Sequence, residues 1–424
     1  MDCSVPLSQP PAFLKPIPVP AMVDYDEAQA ILSALADALD GPQIDIIPLA
    51  QANGRILAEN VSATTPRPEA DISAMDGYAF CCADIPTNGA HSISLPLQDC
   101  IVAGDQPSTH NRSTAATILT GARIPLGADC VIARERVTMG DGVIHLNTAD
   151  ALVGKNIRRA GEEFPVGHPL LKVGQKLDWR HISLLASQNI KHLAVYKPYR
   201  IGVLANGAEL ASDAPDYRAD INTPMLCAML ESMGLHVQHH TVGSDSQAEL
   251  RDSVNELAAQ SDIIITTGGI SVGQTDNVLP VMEQLGACCL FRRVKIRPGK
   301  PFTLMRQAET PVFCLPGNPG AAAICTQIFV LPFLRSISGT NPQQAASPTL
   351  SGRSSFAFSS PSDATCLIPV HYAQSGKEGV FSLVPSQGAS DVLCFSHASG
   401  ILRIPAGQTI KVGDWCAAMA LSAV

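Results

Sequence analysis

Three stretches hold residue types able to handle a phosphate or a small oxyanion. In SDIIITTGGISVGQTDN, residues 261–277, an apolar run ends at Thr266-Thr267-Gly268-Gly269. Two residues without Cβ there let backbone amides approach a ligand. Asp276 follows at the start of the next helical stretch, either as an N-cap or as a catalytic or metal-binding carboxylate. RRVKIRPGKP, Arg292 to Pro301, places five basic side chains in nine residues. Alternation predicts Arg293, Lys295 and Arg297 on one strand face, a solvated edge strand being the plain alternative. Pro298-Gly299 then turns Lys300 back, so that a guanidinium fork and an ammonium point charge flank one oxyanion. LPGNPG, Leu315 to Gly320, precedes an apolar helix from about Ala321. Its free amides favour anions, although an ordinary strand-to-helix turn has the same composition.

Three further segments carry charge or hydroxyls. EADISAMDGYAF, Glu69 to Phe80, brings Asp71 and Asp76 together with Ser73. Two carboxylates five apart could bind Mg²⁺ or act on a water, or simply form turns. TGARIPLGADCVIARE, Thr120 to Glu135, reads as a hairpin around a Pro125–Gly127 turn. In NIRRAGEEF, Asn156 to Phe164, Arg158 and Arg159 oppose Glu162 and Glu163. Surface pairs of that kind contribute about 0–1 kcal/mol each.

These segments need a scaffold, and the apolar pattern supplies one. Between about Tyr199 and Ser338, apolar strands at 201–205, 262–266 and 312–315 alternate with amphipathic stretches at 223–233, 247–260 and 277–285. That alternation predicts an α/β module with a mostly parallel sheet, whose ligands sit outside the carboxyl ends of the strands. Upstream, Asp24 with Glu27 predicts a capped helix carrying Ala28, Ile31, Leu32, Leu35 and Leu39 on one face and stopping at Gly41-Pro42. From about Ala63 to Leu146, short runs such as Ser92–Leu97 and Cys130–Ala133 predict an inserted β-rich module. After Gly339-Thr340-Asn341-Pro342, runs at Cys366–Tyr372, Gly379–Val384 and Ile401–Ile404 predict a small C-terminal β-barrel. Six prolines among the first twenty residues make an extended lead.

A chain of 424 residues with 46% hydrophobic and 16% charged residues has the material for several packed modules. Its net charge of −9 opposes wrapping on nucleic acid, so an anionic ligand must find a local basic patch. Thirteen cysteines are scattered without a Cys-x-x-Cys pair, the pattern of reduced thiols in a cytoplasmic protein. The longest mostly apolar stretch, Ala321–Leu334, is read as too short for a membrane span and contains Gln327 and Pro332.

DISAMDGYA, TGARIPLGADCVI, NIRRAGEEF, TTGGISVGQTD, IRPGKPF and LPGNP occur in an order and spacing that resembles the molybdopterin molybdenumtransferase family, bacterial MoeA and the C-terminal domain of gephyrin. GASDVLCFSHASGILRIPAG and TIKVGDW are similar to that family's closing barrel strands, so the resemblance runs from about Ala21 to the end. It implies a multidomain α/β plus β architecture: a lead at 1–21, a helical and extended linker domain at 22–62 and 147–182, and an inserted β-rich domain at 63–146. A MogA-like α/β domain at 183–338 and a β-barrel at 339–424 complete it.

The resemblance further implies a homodimer that binds adenylylated molybdopterin and molybdate, hydrolyses the phosphoanhydride with Mg²⁺ or a similar divalent ion, inserts molybdenum and releases AMP. A molybdopterin adenylyltransferase and apo-molybdoenzymes would be its partners, with no nucleic acid and no membrane. By position it implies catalytic roles for Asp71, Thr120, Glu209, Asp276 and Lys300, and metal binding by Asp245 and Asp276. Substrate binding would fall to Gly268, Gly269, Ser271, Arg297, Pro301, Pro316, Gly317, Asn318 and Pro319. Departures stand at Ile72, where the family has Asn, and at Ala208 and Ser246, where it has aspartates. Two alternatives follow: a divergent paralogue that binds cofactor or a partner without efficient insertion, and a nucleotidyl transferase or hydrolase.

Overall fold

A computed structural model describes residues 22–421 except 87–90, 107–108, 212–218, 245, 271–276, 343–345, 347 and 377. By internal contacts the chain forms two compact units. One is built from the chain up to Glu59, Val173–Trp179 and everything from His192 onward; the other from Asn60–Lys172 and Arg180–Lys191.

The first unit begins with α1, Tyr25–Ala38, whose start is the expected capping box: Glu27 N donates to Asp24 Oδ1 at 2.8 Å, and Asp24 N to Glu27 Oε2 at 2.7 Å. Ala28, Leu32 and Leu35 are its buried stripe. The α/β elements follow as β1 (Arg200–Asn206), α2 (Asn222–Glu231), β2 (His236–Val242), α3 (Gln247–Gln260), β3 (Ile263–Thr267), α4 (Val278–Gln284), β4 (Cys288–Arg292), β5 (Thr303–Gln307) and β6 (Thr310–Leu315). The sheet order is β2-β1-β3-β6-β5-β4, the first four strands paired in parallel and β5 antiparallel to both β6 and β4. Every residue of β3 and β6, and all but the first of β1, is buried or half-buried, because helices cover both faces of a parallel sheet. Phe302 lies at the centre of one core, ring centroids 4.9 Å from Phe329 and 5.5 Å from Phe291.

From Pro319 to Ile337 runs one helix of 19 residues, longer than the apolar stretch read from sequence. By length and composition alone it is long and apolar enough to cross a membrane; 78% of its most apolar window is buried, which is the arrangement of a core helix. Its middle, Thr326–Val330, is a π-turn between α-helical ends. The expected barrel is present as a closed ring of Thr365–Ser375, Glu378–Leu383, Thr349–Ser354, Trp415–Ala420 and Gly400–Ile404, the last pairing back to the first. Val370, Phe381 and Leu402 fill it.

The second unit holds a six-stranded sheet in the order Cys130–Ala133, Gly77–Phe80, Ala115–Ile118, Ser92–Ile101, Val143–Asn147, Val137–Gly140. Gly77 is required where its strand crosses Cys130–Ala133, since a Cβ would lie 2.0 Å from Ile132 O. The twelve described cysteines are free thiols. Burial pushes the Cys314 thiol up to about 12, that of an unreactive core side chain.

Candidate functional site

Strand register brings the informative loops to one place. Ala205 pairs with Thr267, and Thr267 with Leu315, so β1, β3 and β6 end level with one another. The segments beyond those ends enclose a cleft of about 730 Å³, lined by 205–210, 219–222, 267–270, 316–319, Pro301 and Ser390. This is the position at which open α/β sheets take ligands. Of the substrate-binding residues expected from the sequence, it gathers Gly268, Gly269, Pro301, Pro316, Gly317, Asn318 and Pro319, together with Glu209.

The glycines are explained first by the close approach of two chain segments. Gly268 and Gly269 have φ of +86° and +64°. A Cβ on Gly268 would sit 2.2 Å from Asn206 O, and one on Gly269 2.7 Å from Asn206 Nδ2. Gly317 lies over Gly268, where a Cβ would be 3.4 Å from its Cα. Only residues without side chains at 268 and 269 allow that loop to approach Asn206 this closely, whereas a Cβ on Gly317 would meet ordinary van der Waals contact.

Asn222, which the sequence reading did not single out, ties the loops. From the start of α2 its Nδ2 donates to Thr267 Oγ1 at 2.7 Å and to Gly317 O at 2.8 Å. Thr267 Oγ1 in turn donates to Pro316 O at 3.4 Å. The available signal was a polar residue just ahead of Thr223-Pro224 at the head of a helical run. Ser390, from beyond the barrel's Glu378–Leu383 strand, was also missed. Its Oγ donates to Asn318 Oδ1 at 3.0 Å, and no local pattern marks it.

The lining's described charges are the carboxylates of Glu209 and Asp220, with no Lys or Arg beside them. Asp220 Oδ1 accepts from Thr223 N at 3.0 Å. Glu209 folds back so that a Cβ on Gly207 would be 2.6 Å from its Oε2. Asn206 Oδ1 and Asn222 Oδ1 are buried without a hydrogen-bond partner among the described residues. A buried orphan acceptor costs about 1–3 kcal/mol, which a ligand's N–H or O–H would recover. Mg²⁺ binds through one or two carboxylates together with waters and substrate phosphates. No group of three His, Cys, Asp or Glu able to hold a metal occurs among the described residues. Glu209 and Asp220 are the carboxylates that the described lining offers to an ion that a phosphorylated substrate would complete. The expected ligands Asp245 and Asp276, and Ser271, lie outside the described residues.

The basic stretch differs from its expected form. Arg293 has φ of +69°, which breaks the alternation, and only Ile296–Arg297 is a strand, paired in parallel with Thr365-Cys366 of the barrel. Arg293, Lys295 and Arg297 therefore do not form one strand face. Arg297 Nη2 is 3.1 Å from Asp363 Oδ2, both side chains being well exposed. Lys300 is exposed; its carbonyl accepts from Val294 N at 3.0 Å, and neither it nor Arg297 lines the cleft.

Asp71 and Thr120 belong to the second unit. Asp71 Oδ2 takes Arg159 Nη1 at 2.5 Å and Oδ1 takes Ala160 N at 2.9 Å. Burial alone would raise its pKa, but those donors outweigh it and hold the carboxyl below its ordinary value. Asp76 instead receives both Thr120 N and Thr120 Oγ1 at 2.8 Å, and the pair holds its pKa down. The two aspartates thus have separate donors. Arg158 behaves as expected, meeting Glu162 at 2.6 Å and Glu163 at 2.5 Å, whereas Arg159 leaves the glutamates for Asp71.

The sequence and fold are similar to those of known proteins. A family model described as the MoeA N-terminal region (domain I and II) matches residues 23–188, and one described as a probable molybdopterin binding domain matches 202–336. A molybdopterin molybdenumtransferase from Nostoc sp. is 32% identical over 350 residues, covering 80% of each chain. One from Haemophilus influenzae is 33% identical over 327 residues, covering 75% of this chain and 78% of its own. The crystal structure of a molybdopterin biosynthesis MoeA protein from Pyrococcus horikosii superposes with a TM-score of 0.78 at 24% identity, covering 95% of this chain and all of that one, a likeness of fold. Fold and matches define a multidomain protein of molybdenum cofactor biosynthesis with a MogA-like α/β domain. The chain belongs to the molybdopterin molybdenumtransferase family, a family of transferases.

Proposed function

We propose that this chain inserts molybdenum from molybdate into adenylylated molybdopterin and releases AMP, acting in the cytoplasm as a homodimer. The observation that carries the reading is the nucleotide-sized cleft at the level ends of β1, β3 and β6, with its two orphan amide oxygens. Asn206 and Asn222 would accept hydrogen bonds from the nucleotide's amine or ribose hydroxyls, and the glycine loops would hold its phosphate side close to backbone. Lys300 and Arg297 do not line the cleft itself, but by the resemblance they would neutralise molybdate, Arg297 exchanging Asp363 for the anion, and Asp276 would orient the water that cleaves the anhydride. Asp245 and Asp276 would hold Mg²⁺, which when bound supplies charge neutralisation at the phosphoanhydride. Asp71 and Thr120 would complete the site from a partner copy. An adenylyltransferase would supply the substrate, and apo-molybdoenzymes would receive the product.

One observation favours a second reading, in which cofactor is bound without efficient insertion: Ala208 stands where the family carries an aspartate. A single assay separates the two. The protein is incubated with adenylylated molybdopterin, molybdate and Mg²⁺, while AMP release and reconstitution of a cofactor-free molybdoenzyme are followed, with Asp276→Ala and Lys300→Ala as controls. Molybdate-dependent AMP release lost in both controls supports the insertase. Tight pterin binding without AMP release establishes the second reading instead.

A further inference from the structure

A second cavity, of about 850 Å³, lies in the first unit and shares no lining residue with the cleft. Its volume falls within the roughly 300–1,000 Å³ of small-molecule pockets. One wall is apolar, made by Met229, Met233, Leu235 and Leu331, with the Tyr199 ring among them. Four cationic side chains, Arg55, Lys176, Lys197 and Arg335, line the same space against one carboxylate, Asp178. In a chain of net charge −9 this is a local reversal of sign. Concave low-dielectric walls focus such a field on whatever enters.

Two details bear on what the cavity takes. Arg335 is half-buried, and burial pulls its pKa below the ordinary guanidinium value. Arg335 also stands on the helix that begins in the cleft: Pro319 lines the cleft, whereas Gln327, Leu331 and Arg335 line the second cavity. At ~1.5 Å per residue the two ends are roughly 24 Å apart along the axis. The π-turn Thr326–Val330 lies between them, and such turns are frequent at functional sites.

We propose that this cavity is a second binding site, distinct from the cleft, for a small amphiphile that joins an apolar ring body to one anionic group. The ring lies on the methionine and leucine wall, and the anion faces the lysines and Arg335. The site is independent of what the cleft binds.

The test uses the full chain and 8-anilinonaphthalene-1-sulfonate, a ring body with one sulfonate, followed by fluorescence and calorimetry. The neutral N-phenyl-1-naphthylamine serves as comparison. The expected result is one saturable site, at least ten-fold weaker for the neutral analogue. Affinity should fall at least ten-fold in Lys197→Glu, which reverses an exposed charge, and in Ser232→Trp, which fills an exposed part of the lining. Melting temperatures of both variants should match the parent, and Asn222→Ala in the cleft should leave dye affinity unchanged. Equal binding of the neutral analogue, parent-like affinity in both variants, or loss of the site in Asn222→Ala would each overturn the proposal.

Discussion

Replacing Gly268 by alanine tests whether the cleft is built by the close approach of the loop after β3 to the end of β1. At φ of +86° an L-residue costs about 1–2 kcal/mol from the backbone alone. The added Cβ would also meet Asn206 O at 2.2 Å. That obstacle is main chain, so the loops must part by about 1 Å, adding roughly 1 kcal/mol or more of lost packing. In a unit of about 300 residues, a total of about 2–3 kcal/mol corresponds to roughly 3–5 °C in melting temperature. Because that approach sets the cleft, AMP affinity by calorimetry should fall at least ten-fold, about 1.4 kcal/mol. Gly207→Ala is the internal control. Its φ of 168° is ordinary extended backbone, and its Cβ meets only the movable Glu209 carboxylate at 2.6 Å. It should melt within about 1 °C of the parent. A Gly268→Ala protein as stable and as tight for AMP as the parent, or a Gly207→Ala protein equally damaged, would refute the close-approach argument.

Asn222→Ala removes both donors from Thr267 Oγ1 and Gly317 O; a loss of about 1–3 kcal/mol in stability is expected by urea unfolding, with AMP affinity reduced. Phe302→Ala opens the aromatic core beside Phe291 and Phe329 and should cost about 3–5 kcal/mol on the same assay. Asp71, whose pKa is lowered in the fold, contributes stability that is present above its unfolded value of about 3.8 and lost as pH falls through the lower folded value. Arg159→Gln should therefore flatten acid-side stability below about pH 4. The change stays under about 1 kcal/mol, because the pair is partly exposed, and urea midpoints against pH measure it.

Local signals were legible in the sequence because they are answered by near neighbours. The Asp24–Glu27 box starts α1 as expected, and the reading of 247–260 coincides with α3, since caps and amphipathic periods act within a few residues. The apolar runs at 201–205, 262–266 and 312–315 fall within two residues of β1, β3 and β6, and their shared alternation with helices was enough to put the ligand loops at one sheet edge. The motif order also carried the family, which the matched relatives bear out.

The partner of each charged or polar side chain was decided by tertiary structure. Arg158 and Arg159 read alike in the sequence, yet one meets Glu162 and Glu163 and the other reaches Asp71, 88 positions away. Arg297 reads as an anion fork, yet its guanidinium meets Asp363, 66 positions on in the barrel. Asn222 and Ser390 carry no motif and acquire roles only because β3, β6 and the segment after the barrel strand converge. Charge and hydrogen-bonding capacity are present in a residue type, but their attraction is short-ranged and directional. Which of several chemically equivalent partners is chosen is therefore a property of the folded geometry alone.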